Sequence, residues 1–170
     1  MSNKKLTYKY KLATYSGIAF SLFVAFFMLK PFAIVKAGER GVVMRFGKVQ
    51  DVVLDEGLHI MMPIVNSVKT LSVRVQKNDI GAAASSKDLQ DVKTEVALNW
   101  HIDPQKANTI YQRIGDETEI ISRIINLAVA EIVKAATAQK NAEEIITKRK
   151  EVKQEIDIEL KERLNDYGIL

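Results

Sequence analysis

The sequence predicts an α+β protein behind an N-terminal membrane anchor, from three observations. An uncharged, strongly apolar run occupies residues 12–29. Apolar and polar residues alternate with strand periodicity between residues 41 and 102. Helical periodicity with paired capping residues takes over from Asp103. Strands first and helices after, within one domain, is the α+β pattern.

The anchor comes first. Its 18 residues, at about 1.5 Å each in a helix, span about 27 Å, close to the hydrocarbon thickness of a bilayer. Leu12, Ile18, Phe20, Phe23, Phe26, Phe27 and Leu29, with Leu22 and Val24, favour insertion by roughly 3–5 kcal/mol before polar corrections. Tyr8, Tyr10 and Tyr15 sit at one edge, where an aromatic belt belongs. Residues 1–11 form a basic tail, 12–35 the anchor and 36–170 the domain. Val35-Lys36-Ala37 has the small-residue look of a cleavage site, but the apolar run exceeds a usual signal-peptide core and Lys30-Pro31 intervenes, so an uncleaved anchor is expected.

Charge supports the same layout. The chain has 25 basic and 21 acidic residues, and four of the lysines lie in the first eleven positions with no acid. The remainder is neutral. A nucleic-acid binder carries its basic excess on the folded domain; here the excess lies beside the membrane, where anionic lipid attracts it. Lys30, Lys36, Arg40, Arg45 and Lys48 are more spread out, so the positive-inside rule places the amino terminus in the cytoplasm and the domain across the membrane. A bacterial cytoplasmic membrane is the expected location, with an organellar inner or thylakoid membrane as the alternative.

The domain's elements follow in order. Residues 41–47 read as a strand closed by a turn, 49–54 as its partner and Asp55-Glu56-Gly57 as the next turn. Pro63 makes 58–62 an edge or a turn. Residues 68–76 alternate with Leu71, Val73 and Val75 on one face. Residues 92–102 form a long antiparallel strand with Val96, Leu98, Trp100 and Ile102 facing a core. Between these two strands, residues 81–88 are small and polar and read as a mobile loop.

Asp103-Pro104 opens a helix that Gly115 ends. Asp116 with Glu119, and Asn141 with Glu144, are capping pairs. The first opens a helix with Ile121, Ile124, Ile125, Ala128, Ile132 and Ala135 on its apolar face. The second opens one long helix over 141–167, with Ile145, Val152, Ile156, Leu160, Leu164 and Tyr167 at helical spacing. Gly168-Ile169-Leu170 reads as a helix end entering a new strand, and a C-terminal continuation is expected.

Chemistry-bearing motifs are sparse. There is no cysteine, which excludes thiolate chemistry and disulfides. His59 and His101 are too scattered for a zinc site. Ser86-Lys87 could be a hydrolytic dyad, but adjacent residues in a loop do not by themselves bring amine to hydroxyl or supply an oxyanion hole. Glu143-Glu144 fit a helix's first turn. No catalytic residue, cofactor, metal or small-molecule substrate is expected. A monomeric lipid-binding module and an anchored serine hydrolase subunit stand as alternatives to a scaffold. The long helix has a second use: Lys148, Arg149, Lys153, Ile156 and Leu160 are candidate self-association residues, along with the strand edges near 42–54.

Gly38-Glu39-Arg40-Gly41-Val42-Val43, Arg45-Phe46-Gly47-Lys48-Val49, Glu56-Gly57-Leu58-His59, Pro63 and Ser86-Lys87-Asp88-Leu89-Gln90-Asp91-Val92, in that order, resemble the prohibitins. These belong to the stomatin/prohibitin/flotillin (SPFH, band 7) family. Ile114-Gly115-Asp116-Glu117 and Ala142-Glu143-Glu144-Ile145-Ile146-Thr147-Lys148-Arg149 resemble its helical half. The resemblance covers about residues 36–170. It implies an SPFH domain with an antiparallel sheet and packed helices, acting as a non-catalytic homo-oligomeric scaffold of rings or cages on membrane lipids. It further implies regulation of an AAA+ membrane protease of the FtsH type, and no cofactor. The long coiled-coil segment of family members is absent from these 170 residues.

Overall fold

The computed structural model describes Tyr15, residues 17–21, 23–24 and 31–170. Seven strands precede five α-helices. The strands are β1 (Phe32–Val35), β2 (Glu39–Arg45), β3 (Lys48–Leu54), β4 (Gly57–Ile60), β5 (Asn66–Ser72), β6 (Gln76–Ser85) and β7 (Asp91–Trp100). A 3-10 turn, Pro104–Lys106, leads into α1 (Ala107–Arg113). There follow α2 (Glu117–Ile120), a π-helical turn over Ile121–Ile125, α3 (Asn126–Ala138), α4 (Ala142–Thr147) and α5 (Arg149–Asn165). The α+β order is as the sequence predicts.

All strand pairing is antiparallel and falls into three units: a ribbon β1-β4, a three-stranded sheet β3-β2-β5 and a hairpin β6-β7. One core joins the last two units to the helices. Val42 and Leu71 enter it from the three-stranded sheet, Ile80, Ala82 and Trp100 from the hairpin, and Ile120, Val129 and Val133 from the helical layer. Trp100 is fully buried and its indole N–H donates to Asn78 Oδ1 at 2.7 Å, so the polar atom of the largest core side chain is satisfied.

Several local signals act as read. Asp103 Oδ1 accepts from Gln105 N at 3.0 Å, capping the turn that begins at Pro104. Asp116 and Glu119 exchange the two bonds of a capping box. Gly115 takes φ +122, and a Cβ there would run into the Glu119 side chain that completes the cap. Past α5, Gly168 takes φ +76, and Ile169 bridges Ile102 in antiparallel fashion, with His101 and Leu170 exchanging two backbone bonds of 2.9 Å.

Other expectations are corrected. Residues 32–35 of the 12–35 segment form β1, because Pro31 and the partner strand β4 draw them into a ribbon. The alternation over 68–76 is two strands: β5 stops at Ser72, Val73 N donates to Gly38 O at 3.0 Å, and the chain turns with Val75 exposed. Residues 81–85 are the second half of β6 rather than a loop. Their small side chains let α3 lie close on β6, and Ala82 is buried beneath it.

The helix after Asp116 contains a π turn, whose extra residue per turn rotates the inward face. Ala128 and Ile132 are buried as expected, Val129, Val133 and Ala136 join them, and Ala135 is exposed. The helix over 141–167 is two helices that break at Lys148 (φ −104, ψ 30). Thr147 Oγ1 donates back to Glu143 O at 2.8 Å just before the break, a bond that bends helices.

Candidate functional site

The β1-β4 ribbon carries the most unusual surface of the molecule. Its register sets Phe32 opposite Ile60 and Ile34 opposite Leu58. In a two-stranded ribbon, directly opposed residues share a face, and successive side chains point to opposite faces. The other face turns inward: Val35 is buried against Gly41, and His59 is half-buried, its Nε2 2.7 Å from Asp55 O. Phe32, Ile34, Leu58 and Ile60 form the outward face and are 47, 64, 67 and 89% exposed.

This apolar surface continues into the next turn. Met62 and Ile64 are exposed, and Phe46 joins them from the β2-β3 turn, where its N–H donates to Val65 O at 3.0 Å. Met61 N donates to Pro31 O at 2.9 Å, which fastens this end of the ribbon to the chain emerging from the hydrophobic run. Contiguous apolar surface of this kind marks contact with a membrane or a partner. Among the described residues nothing covers it.

Of the expected anchor residues, Ile18, Phe20 and Phe23 are described; they are helical and exposed. Leu12, Phe26, Phe27 and Leu29 lie outside the described residues. Among the described residues no helix is long and apolar enough to cross a membrane.

The candidate self-association residues separate into two groups. Lys148, Arg149 and Lys153 are exposed at the start of α5, with Lys148 3.4 Å from Glu144 and Lys153 3.7 Å from Asp157. Leu160 is buried and Ile156 partly so, both packed into the domain's own core with Val152 and Leu164. Leu160 therefore holds α5 to its own domain, and Ile156 packs partly against the same core. In the candidate edge near 42–54, β3 is an outer strand, but α1 lies along it and Asn108 Nδ2 donates to Gln50 O at 3.3 Å.

Ser86 and Lys87 lie in the β6-β7 loop. Ser86 is buried, and its Oγ donates to Asp88 Oδ1 at 2.6 Å and accepts from Gln90 N at 3.1 Å. The hydroxyl is thus a loop brace. Asp88 also accepts from Ala142 N at 3.0 Å, and the Ser86 bond, then the Ala142 bond, hold its carboxyl below the usual range.

Sequence reasoning missed the ribbon because its strands are 25 positions apart and the first was absorbed into the anchor. The signal was present: Phe32-x-Ile34 and Leu58-x-Ile60 are two short alternations, one following Pro31 and one following Gly57. It also missed Leu89, exposed at the tip of the β6-β7 loop.

Taken together, these features define an α+β domain with a bare apolar ribbon next to its N-terminal hydrophobic segment. Residues 33–170 match the SPFH domain / Band 7 family, and the chain belongs to that family.

Within the family the chain is prohibitin-like. It is 31% identical over 137 residues to the mitochondrial prohibitin complex protein 1 of Caenorhabditis elegans, covering 80% of this chain and 49% of that one. Against prohibitin 1 of Mus musculus it is 31% identical over 80% of this chain and 50% of the relative. Against mouse prohibitin-2 it is 33% identical over 80% and 46%. The chain spans about half the length of these relatives.

Proposed function

We propose that this chain is a non-catalytic scaffold, held on a membrane by its N-terminal segment, that self-assembles laterally into rings or cages and organises membrane proteins and lipid around it. The observation that carries this reading is the outward face of the β1-β4 ribbon. A soluble domain gains nothing from Phe32, Ile34, Leu58 and Ile60 in water. At the end of a membrane anchor, the same face lies where acyl chains and headgroups meet, and apolar side chains there are favourable. The lysine-rich first eleven residues suit anionic lipid on the cytoplasmic side, with the domain on the other. The relatives are prohibitins, one of them named for a mitochondrial complex. That kinship supports self-assembly and, beyond it, control of an FtsH-type AAA+ membrane protease, in a bacterial cytoplasmic or an organellar inner membrane.

The test uses the full chain in membranes. Native mass and amine crosslinking of the detergent-extracted protein should give multimers. Reversing charge at Lys148, Arg149 and Lys153 should weaken them more than it lowers the melting temperature. A wild type that binds vesicles yet stays monomeric would replace the scaffold with a lipid-binding module. A domain digested only from the cytoplasmic face of vesicles would reverse the orientation.

A further inference from the structure

Leu89 is 88% exposed and holds φ +60, a left-handed conformation that a leucine adopts only when its surroundings impose it. Leu89 N donates to Ser86 O at 2.9 Å, Gln90 Nε2 donates to Asp88 Oδ2 at 3.0 Å, and Ser86 ties both ends of the loop together. The tip is also fastened sideways, through Ala142 N to Asp88 Oδ1 and through Lys87 N to Lys140 O at 2.9 Å. One turn along α4 from Ala142 stands Ile146, 77% exposed. Lys148, Arg149 and Lys150 follow at the helix break, and Arg149 and Lys150 have no ion-pair partner among the described residues. The result is a rigid corner with two bare apolar side chains and unpaired positive charge.

The opposite chemistry lies on the outward face of α5. Val152, Leu160 and Leu164 turn inward, so Glu151, Gln154, Ile158 and Glu162 face away. Ile158 is 67% exposed, and Glu151 and Glu162 have no ion-pair partner among the described residues. A corner of bare apolar groups with free cations, and a helix face with a bare apolar group between free carboxylates, are complementary surfaces of one chain. Within a copy the corner cannot reach Ile158 and Glu162, because Arg149 is nine and thirteen residues from them on one helix, about 14 and 20 Å.

We infer that the corner formed by Leu89 and Ile146 docks on the outward face of α5 of a second copy of this chain, covering Ile158 and bringing Arg149 and Lys150 to Glu162. The inference rests on the self-assembling reading above and names its contact. The two patches differ, so the contact is heterologous and propagates from copy to copy, closing when the rotation permits. A shared bilayer raises the effective concentration that such a small contact needs.

The absence of cysteine gives a clean test in the full chain on membranes. Under mild oxidation, the Ile146→Cys, Ile158→Cys double variant should give a disulfide ladder. A mixture of the two single variants should give dimers, and neither single variant alone should. Leu89→Gly relieves the left-handed residue, so its melting temperature should hold or rise while the ladder yield falls about fivefold or more. Dimers from a single variant alone would show an isologous contact and overturn the inference. So would no ladder from the double variant while amine crosslinking still yields multimers, which leaves the scaffold reading standing. Loss of multimers with the amine reagent in the wild type removes both.

Discussion

The β1-β4 ribbon and the β6-β7 hairpin are both two-stranded, antiparallel and apolar on one face, yet their fates differ. On the hairpin, α3 lies against β6, and Ile80, Ala82 and Trp100 are buried. On the ribbon, Phe32, Ile34, Leu58 and Ile60 stay in the open. A two-stranded ribbon alone is marginal in water and needs a covering layer. The hairpin finds that layer within the chain. Among the described residues nothing covers the ribbon, and under the function proposed above a bilayer would be its cover. An alternating face thus marks where something packs, and the tertiary structure decides whether that something is the protein itself.

Breaking the covered side has the largest expected effect. Trp100→Ala leaves a cavity in the core shared by the hairpin and the helices and strips Asn78 Oδ1 of its donor. It should cost roughly 3–5 kcal/mol, as large aromatic truncations do. Thermal or denaturant melts check this, and a variant that melts within a few degrees of wild type would mean that the hairpin does not depend on its cover.

The uncovered side should respond the other way. Phe32→Thr with Ile60→Thr keeps strand preference and adds no charge, and should leave domain stability within about 1 kcal/mol, because Ile60 is 89% exposed and Phe32 about half exposed. Flotation of the full chain with anionic vesicles should fall at least about tenfold, since burying each such side chain is worth roughly 1.5–3 kcal/mol. A large drop in melting temperature, with lipid binding intact, would make the ribbon a structural element and end the contrast.

The smallest effect concerns the tie at the far end of the covered hairpin. Asp88 titrates below its usual 3.8 because Ser86, then the Ala142 N–H, bond its ionised form. The folded chain therefore takes up this proton less readily than the unfolded one. The stabilisation is complete above about pH 4 and is lost as pH falls through the lowered value. The protection factor of the Ala142 amide, corrected for the intrinsic exchange rate at each pH, should fall in acid with those of the core amides unchanged, and Asp88→Asn should flatten that dependence. An acid-insensitive Ala142 amide in the wild type would show that the loop is held without the carboxylate.

Much of this was legible along the chain. The capping box at Asp116 and Glu119, the stop at Gly115, the inward face of Trp100 and the return of the chain to strand at Ile169 rest on neighbours a few residues away. The helix break at Lys148 was not legible. Val152, Ile156, Leu160 and Leu164 keep helical spacing across the region, and the hydroxyl of Thr147 is a weak signal beside them. Residues 81–85 read as a loop because alanine and glycine have little strand preference. They become a strand because α3 can approach only small side chains there.

The sequence by itself determined the α+β order, the inward face of Trp100's strand, the caps and the family, since each depends on local spacing and residue type. Only the tertiary structure decided that residues 32–35 pair with 57–60, that Leu160 belongs to the core while Ile158 and Leu89 face outward, and that one alternating ribbon is covered and the other bare. Those outcomes depend on which segments meet across long stretches of chain, and a hydrophobic face is the same in one dimension whether or not a helix lies on it.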